Sequence, residues 1–450
     1  MDYSIESLDR KGRGIARDSG KPVAVPFTVP GDTVRVGLRG KRAGVRNGVL
    51  EEVLTPSTDR IVPRCPYAGR CGGCPWQMFD ADAQLRHKHA TVTNALAGIP
   101  HPDIPQPIPS PDLFYYRNRM DYAVGADGSL GLHMPGRWWE VLDLSTCYLM
   151  SEAAVAAMHA FRSWMHDHHV LPWDTRSHTG VIRALVLREG KRTGERMAMA
   201  ITAAALPPDT RAALIEALAP HCTSILCGVQ PGVADVTTAE HYDVLRGDTH
   251  LHEQLHIASA DAAPTQRLDF RIPPNAFFQT NTLAAEHLVA VVRDFAALAP
   301  PETLVDLFCG VGTFGIALAR DAGTVIGVEL DPSAAAVAQQ NAEANGIQNA
   351  RFMHVAAESW PFPQEPIHCL IVDPPRAGMH PRTLEHIRTH APHRIVYVSC
   401  NPHALASDLR TLVGTATDGQ PGPYRIERIQ PLDLFPHTPH VETVVKLVRT

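Results

Sequence analysis

The chain has 450 residues, which is enough for two or three domains. Hydrophobic residues make up 44% and charged residues 20%, a composition that excludes a mostly disordered chain. The net charge of −6 excludes nucleic-acid binding driven by bulk charge, so any such site must be a local basic patch. There is no apolar run of about 18 residues and no signal-peptide core, so we expect a cytoplasmic protein without a membrane span. Nine unevenly clustered cysteines favour metal binding or catalysis over a secreted disulfide scaffold.

Residues 1–56 consist of short β-like runs broken by Gly and Pro, which predicts a small antiparallel β-barrel. Between positions 10 and 46 this region has ten basic side chains and two acidic ones, although the whole chain is acidic. A barrel with a basic face is typical of nucleic-acid binding, and a solvated surface of uneven charge is the alternative. The basic residues are Arg10, Lys11, Arg13, Arg17, Lys21, Arg35, Arg39, Lys41, Arg42 and Arg46, and the acidic ones are Asp18 and Asp32.

Residues 57–275 form a mixed α+β region that begins with a cysteine cluster. Cys65, Cys71 and Cys74 lie in the glycine-rich segment CPYAGRCGGC. Thiolates are soft ligands suited to an iron–sulfur cluster or zinc, and free cysteines are the third possibility. The spacing lacks the paired C-x2-C units of structural zinc sites and the C-x3-C-x2-C pattern of radical enzymes. We predict strands over 180–189 and 195–205 and helices over 152–165 and 210–219.

The segment YYRNR at residues 115–119 combines aromatic rings with guanidinium groups. Such a segment can stack unpaired bases and hold phosphates, so it is a candidate RNA contact. A strand with structural ion pairs is the alternative.

In residues 276–450, strands alternate with helices, which predicts a doubly wound parallel sheet with ligands at the carboxyl ends of its strands. The predicted helices cover 282–298, 314–320, 333–346, 382–390 and 403–410, and the predicted strands cover 303–309, 324–330, 367–373, 394–400, 424–432 and 442–448.

A glycine-rich loop, DLFCGVGTFG at residues 306–315, joins the first of these strands to a helix. Gly310 and Gly312 permit a tight turn and close approach of a ligand to the backbone. Glu329 lies 19 residues beyond Gly310, at the end of the next strand, where its carboxylate can accept both hydroxyls of a ribose. This arrangement serves NAD and S-adenosylmethionine equally well, and a structural turn beside a surface Glu329 is the bland alternative.

The segment Asp373-Pro374-Pro375-Arg376, at the end of a later predicted strand, distinguishes between NAD and S-adenosylmethionine as the cofactor. A dehydrogenase has no use for an acid–Pro–Pro element at this position. In methyltransferases that act on nucleobases, the rigid turn directs polar groups at the flat base beside the sulfonium. An ordinary strand-to-loop turn is the alternative.

Cys400 ends strand 394–400, at the edge of the sheet where this fold carries its chemistry. Methylation of a pyrimidine at C5 needs activation, because that carbon is barely nucleophilic. A thiolate that adds to C6 makes C5 enolate-like, and a base must afterwards remove the C5 proton. Glu442 begins the last strand, in the segment FPHTPHVE, and is the candidate base. A buried structural cysteine and a surface glutamate are the alternatives for these two residues.

Four motifs together resemble the RNA uracil-C5 methyltransferases: FQTN at 278–281, DLFCGVGTFG, DPPR followed by SCNP, and FPHTPHVE. The resemblance extends over essentially the whole chain, since residues 1–56 are similar to a TRAM domain. It implies Cys400 as the nucleophile and Glu442 as the base, and a [4Fe-4S] cluster on Cys65, Cys71, Cys74 and Cys147. The residues that it and the glycine loop assign to S-adenosylmethionine or the base are Gln279, Phe308, Gly310, Thr313, Glu329 and Asp373. Thr313 departs from the Asn of some relatives.

We therefore expect an S-adenosylmethionine-dependent RNA uridine-C5 methyltransferase with a TRAM barrel (1–56), a central iron–sulfur domain (57–275) and a Rossmann-like α/β methyltransferase domain (276–450). Ribosomal RNA is favoured as the substrate over the T-loop of tRNA, because the additional domains resemble the ribosomal branch. The alternatives are a cytosine-C5 methyltransferase, a non-catalytic iron–sulfur RNA-binding protein and a dehydrogenase. We expect a monomer without an obligate protein partner.

Overall fold

The computed structural model describes residues 1–234, 236–258, 265–414 and 422–450. Its first sheet has six strands: β1 (Asp2–Ser4), β2 (Ser7–Leu8), β3 (Gly14–Asp18), β4 (Lys21–Val25), β5 (Thr33–Arg42) and β6 (Val45–Thr55). Their order is β1-β5-β6-β4-β3-β2. The sheet encloses a small apolar core of Ile5, Ala16, Val23, Val25, Val34 and Val36. In residues 1–56, all of which the structure describes, β1 and β2 are consecutive segments of the chain that pair with opposite ends of this order, β1 with β5 and β2 with β3. The sheet is not wholly antiparallel as predicted, because β4 and β6 pair in parallel.

Helix α1 (Ala81–Ala95) begins at Asp80, whose carboxylate accepts hydrogen bonds from the main chain of the first turn. Its apolar residue Val92 belongs to the same buried cluster as the C-terminal strands, so the helix packs against the C-terminal region although it precedes the central sheet. Lys88 of this helix is fully buried and pairs with Asp433 at 2.6 Å.

The central sheet has seven strands, β7 (Arg119–Val124), β8 (Leu130–Met134), β9 (Arg137–Asp143), β10 (Ile182–Glu189), β11 (Arg196–Thr202), β12 (Ser224–Val229) and β13 (Tyr242–Arg246), in the order β13-β12-β11-β10-β7-β8-β9. Helices α2 (Glu152–Asp167) and α3 (Pro208–Leu218) supply apolar residues to the core on one face of it. A hairpin of β14 (Leu251–Ile257) and β15 (Gln266–Ile272) follows. The predicted mixture of strands and helices in this region is confirmed.

The C-terminal sheet consists of β16 (Thr303–Leu307), β17 (Thr324–Glu329), β18 (Ala350–His354), β19 (Cys369–Val372), β20 (Arg394–Ser399), β21 (Tyr424–Leu432) and β22 (Glu442–Arg449), in the order β18-β17-β16-β19-β20-β22-β21. The first five of these in spatial order are parallel, and β22 and β21 are antiparallel to their neighbours. Apolar clusters cover both faces, so the predicted doubly wound α/β architecture is observed. The helices of this region are α4 (Thr282–Ala296), α5 (Thr313–Leu318), α6 (Pro332–Ala344), α7 (Pro381–His390) and α8 (Pro402–Val413).

Two details differ from the sequence prediction. Strand β18 was not predicted, because only its first residue, Ala350, is buried and the segment lies at the edge of the sheet. The first strand ends at Leu307 and not at Cys309, because Phe308 turns into the left-handed region with φ of 65°. Within the described part of the chain, no helix is long and apolar enough to cross a membrane.

Candidate active site

The candidate site lies where the strand order of the C-terminal sheet reverses, between β16 and β19. From β16 the chain builds outward through β17 to β18, and it then returns to the other side of β16 with β19. The carboxyl ends of strands at such a switch point leave a crevice in which ligands bind. The glycine loop follows β16 and Asp373 follows β19, so both predicted elements lie at this crevice.

The glycine loop is tied to the end of β17. The N–H of Gly310 donates to Oε2 of Glu329 at 2.9 Å, and the N–H of Asp331 donates to its Oε1 at 2.8 Å. Gly312 immediately precedes α5 and has φ of 89°, a left-handed conformation that favours glycine. A Cβ at this position would also lie 2.8 Å from Cδ1 of Ile316. The carboxylate of Glu329 is thereby fixed beside the loop, and each of its oxygens keeps capacity to accept a further hydrogen bond.

Asp306, at the end of β16, is a site residue that the sequence reasoning missed. Its side chain is fully buried, and Oδ2 accepts a hydrogen bond from the N–H of Gly315 at 2.8 Å. Burial, together with the negative charges of Asp373 and Glu329, raises the pKa of the Asp306 carboxyl to about 8. The only available signal was an acidic residue within an otherwise apolar strand.

Cys400, Glu442 and Asp373 converge on one another from three different strand ends. Burial raises the pKa of the Cys400 thiol to about 11, and the charges of Glu442 and Asp373 add to the shift while Arg376 opposes it. Glu442 is buried, and its Oε1 has no hydrogen-bond partner among the described residues. Burial, with a contribution from Asp373, raises the pKa of the Glu442 carboxyl well above its usual range. Burial also raises the pKa of Asp373, to about 7.

This arrangement places a thiol and two acids in one partly desolvated pocket. At neutral pH the thiol is protonated in the free protein, and the raised pKa of Glu442 shifts its carboxyl toward the neutral form. A cationic ligand beside Asp373 would favour ionisation of the group. An unpaired buried carboxyl oxygen is costly in a purely structural role, so Glu442 is suited to meet a ligand atom.

Arg376 and His440 form the rim of this pocket. Nη2 of Arg376 lies 3.3 Å from Nδ1 of His440, and the Arg376 carbonyl accepts a hydrogen bond from the Asn401 side chain at 2.9 Å. Burial and the nearby charge of Arg376 lower the pKa of His440 to about 4, so this imidazole is neutral at physiological pH. Sequence reasoning assigned no role to His440.

Gln279 lies in a segment next to the glycine loop, and Thr313 lies within the loop. Gln279 is buried in the segment before α4, and its carbonyl accepts a hydrogen bond from the side chain of Asn118 at 2.8 Å. This segment lies against the loop, because a Cβ on Gly310 would be 4.0 Å from the carbonyl oxygen of Phe277. Thr313 is half-buried and begins α5. The ring of Phe277, which the sequence did not single out, is 64% exposed.

Four cysteines line one small cavity away from this pocket. Cys65, Cys71, Cys74 and Cys147 share it with Tyr67 and several leucines, around about 380 Å³ of empty space. Burial raises the pKa of Cys71 to about 11, and the charges of Cys147 and Cys65 add to that shift. The structure thus brings the four predicted ligands together. In the described ranges, however, no three His, Cys, Asp or Glu side chains lie close enough to hold a single metal ion.

A basic groove runs from the N-terminal sheet to the pocket. Its first part is lined by Arg10, Lys11, Gly72, Gly73, Arg117, Arg376 and His440, and its second part by Gly72, Gly73, Arg117, Arg119, Arg188 and Phe277. The loop with Arg10 is anchored because the Gly12 carbonyl accepts a hydrogen bond from Nε1 of Trp76 at 2.9 Å. Gly12 has φ of 75°, and a Cβ there would lie 2.7 Å from the same Nε1. The exposed side chains of Arg10 and Lys11 are therefore held at the rim of the pocket.

Burial leaves only part of the YYRNR segment available for the RNA contact that we expect. Tyr116 is buried and its hydroxyl donates to the carbonyl of Pro436, so its ring is not available for a base. Asn118 is also buried, whereas Arg117 and Arg119 line the basic groove.

Comparisons with known proteins agree over the whole chain. The family model for tRNA (uracil-5-)-methyltransferases matches residues 236–363 and 364–450. The tRNA (uracil(54)-C(5))-methyltransferase of Pyrococcus furiosus is 33% identical over 445 residues, which cover 99% of this chain and 98% of the relative. An uncharacterized RNA methyltransferase of Nanoarchaeum equitans is 34% identical over 451 residues, with coverage of 100% and 93%. The crystal structure of the Pyrococcus abyssi tRNA (uracil-54, C5)-methyltransferase in complex with S-adenosyl-L-homocysteine superposes with a TM-score of 0.78 at 31% identity and covers 100% of both chains.

Proposed function

Because the chain belongs to the family of S-adenosylmethionine-dependent RNA uracil-C5 methyltransferases, we propose that it methylates C5 of the T-loop uridine of tRNA through a covalent Cys400 adduct. The observation that carries this proposal is that Cys400, Glu442 and Asp373 lie at the ends of neighbouring strands beside the glycine loop, with Ser399 of β20 paired to Thr443 of β22. A thiol and a carboxyl on one face are the two groups that C5 methylation needs.

The proposed reaction proceeds in three balanced steps. The Cys400 thiol and the Glu442 carboxyl lose their protons to solvent when the cofactor binds, and the thiolate forms a bond to C6 of the uracil while the C5–C6 π electrons move toward the C4 carbonyl oxygen. C5 then attacks the methyl group, and the carbon–sulfur bond of S-adenosylmethionine breaks to give S-adenosylhomocysteine. Finally, the Glu442 carboxylate accepts the C5 proton, the C5–C6 double bond forms again, and the Cys400 thiolate leaves.

Electrostatics explain why the nucleophile is activated only in the complex. Without a ligand, the pKa of about 11 keeps the Cys400 thiol protonated, and burial with the charge of Asp373 raises the pKa of Glu442. The sulfonium of S-adenosylmethionine brings a positive charge to this acidic pocket, which lowers the pKa of the thiol and the carboxyls together. In this proposal Glu329 would accept the ribose hydroxyls. The rest of the cofactor and the base would contact Gln279, Phe308, Gly310, Thr313 and Asp373.

The tRNA assignment replaces the preference for ribosomal RNA. The relatives named tRNA (uracil(54)-C(5))-methyltransferases, which match over 99% of this chain, favour tRNA over ribosomal RNA as the substrate. We propose that residues 1–56 act as a TRAM-type RNA-binding unit, because their loop with Arg10 and Lys11 begins the basic groove. Residues 57–275 would form the central domain and residues 276–450 the methyltransferase domain.

An unmodified tRNA transcript tests the activity and the substrate together. Incubation with S-adenosylmethionine, nuclease digestion and mass analysis of the nucleosides should yield 5-methyluridine. The control transcript carries cytidine in place of the T-loop uridine and should stay unmethylated. A 5-methylcytidine product, or methylation confined to ribosomal RNA fragments, would contradict the proposal.

We also propose a [4Fe-4S] cluster held by Cys65, Cys71, Cys74 and Cys147. The support is that these four soft ligands line one cavity, and a cubane cluster takes its thiolates from further apart than a single ion does. Anaerobic reconstitution should give broad visible absorbance and about four irons per chain. Cys71→Ala should lose both signals, whereas Cys222→Ala, a buried cysteine outside the cavity, should keep them. Reconstituted wild-type protein without iron would contradict the cluster.

A further inference from the structure

The central sheet carries a second, open cavity beyond the basic groove, which we name the Trp139 cavity. It is lined by Trp139, Trp173, Asp174, Arg176, Arg183 and His133, among others, and has a volume of about 220 Å³. None of its residues belongs to the proposed catalytic pocket.

The Trp139 cavity continues the basic groove along the same face of the sheet. Arg119, Asp121 and Ala123 alternate along β7 and so share a face; the first two line the groove and the third lines the cavity. His133 lines both depressions. An RNA strand that follows the groove away from Arg376 would therefore reach this cavity next.

The cavity pairs aromatic faces with guanidinium groups. The guanidinium of Arg176 lies 5.5 Å from the ring centre of Trp139, and that of Arg183 lies 4.1 Å from the ring centre of Trp173. Trp139 is 48% exposed, and among the described residues it and Phe277 are the two large aromatic apolar side chains that are exposed. Both lie on this continuous surface, which favours a ligand with flat rings and negative charge over a uniformly apolar partner.

The walls of the cavity are already fixed. The main-chain N–H of Trp173 donates to the Ile182 carbonyl at 2.8 Å, which ties the loop that contains Trp173 to β10. Arg183 donates to the carbonyls of Gly232 and Ala234. Nε1 of Trp173 is buried and has no hydrogen-bond partner in the described ranges. A preformed site loses less entropy when it binds a ligand.

We propose that the Trp139 cavity binds an unpaired nucleotide of the substrate RNA, away from the methylated uridine, by stacking its base on Trp139 or Trp173 and holding its phosphate with Arg176. This inference rests on the proposed RNA methyltransferase function and extends it. The site supplies affinity and orientation for the RNA and takes no part in the methyl transfer.

The affinity of a full-length tRNA transcript, measured by fluorescence anisotropy, tests this proposal. Trp139→Ala should raise the Kd about tenfold, as expected from the loss of one stacked base, and Arg176→Ala should act in the same direction. Trp139→Phe keeps a ring and should retain most of the affinity. The control is Leu171→Ala, which removes a 66% exposed apolar side chain outside the cavity and should bind as the wild type does. For RNA bound at saturation, kcat should stay unchanged in all four variants.

Crosslinking of the wild-type protein provides a readout that needs no variant. Ultraviolet irradiation with a 4-thiouridine-substituted transcript should attach RNA to peptides that contain Trp139 or Trp173. Wild-type protein that methylates the transcript while Trp139→Ala and Arg176→Ala bind it equally well would overturn this inference alone, and would leave the cavity for a protein partner. Wild-type protein that neither binds nor methylates the transcript would overturn the proposed function and this inference with it.

Discussion

Breaking the buried ion pair between Lys88 and Asp433 should lower the free energy of unfolding far more than breaking an exposed pair of the same helix. The Lys88 side chain is 0% and the Asp433 side chain 5% exposed, and Nζ lies 2.6 Å from Oδ1. Nζ also donates to the carbonyl of Phe435 at 3.0 Å. Lys88→Met leaves a buried carboxylate without its partner, a change that costs about 3–5 kcal/mol of unfolding free energy.

Helix α1 offers a matched control for this change. Arg86, two residues earlier, forms a pair with Asp59 at 3.0 Å, with side chains 59% and 41% exposed. Arg86→Met should cost less than about 1 kcal/mol, because solvent screens an exposed pair. The Lys88→Met, Asp433→Leu double variant should be more stable than Lys88→Met alone, since it removes both charges. Urea unfolding measures all three differences, and equal losses for Lys88→Met and Arg86→Met would refute the reasoning.

Three further predictions concern the candidate active site. Glu442→Gln should accumulate a covalent RNA–protein adduct with unmodified RNA and turn over about 10²–10⁴ times more slowly, because the C5 proton has no acceptor; a denaturing gel that contains no such band would argue against this role. Iodoacetamide alkylation of Cys400 in the free protein should keep accelerating above pH 9, since the thiol has a pKa of about 11, and titration near pH 8.5 would contradict the buried acidic setting. Asp306 has a pKa of about 8 in the folded protein, above the unfolded value, so the folded state binds a proton that the unfolded chain releases. Its contribution to stability is complete below about pH 4 and is lost as the pH rises through 8, at about 1.4 kcal/mol per pKa unit. The melting temperature of Asp306→Asn should therefore fall less than that of the wild type between pH 5 and pH 9, and parallel curves would be the contrary result.

The alternation of strands and helices in residues 276–450 was predictable because each buried parallel strand is a short apolar run. Strand β18 was not predicted, because it lies at the edge of its sheet and carries exposed residues such as Met353. The left-handed turn at Phe308 was not predicted either, because a bulky residue rarely adopts positive φ and no sequence pattern indicates such a turn.

Packing between residues far apart in the chain could not be predicted from the sequence either. The spacing of the last strands could indicate that Cys400 and Glu442 meet at one edge of the sheet. It could not indicate that α1 packs on that sheet, that Gly12 meets Trp76, or that Tyr116 faces inward. These contacts join residues far apart in the chain, and they depend on tertiary packing that local periodicity does not encode.

The most direct test of the central claim is to trap the Cys400 adduct. A tRNA transcript containing 5-fluorouridine is mixed with the protein and S-adenosylmethionine and then run on a denaturing gel. Fluorine at C5 cannot leave as a proton does, so the wild-type protein should form a stable covalent complex with RNA, and Cys400→Ala should form none. An adduct that persists in Cys400→Ala, or the lack of any adduct with the wild-type protein, would contradict the proposed mechanism.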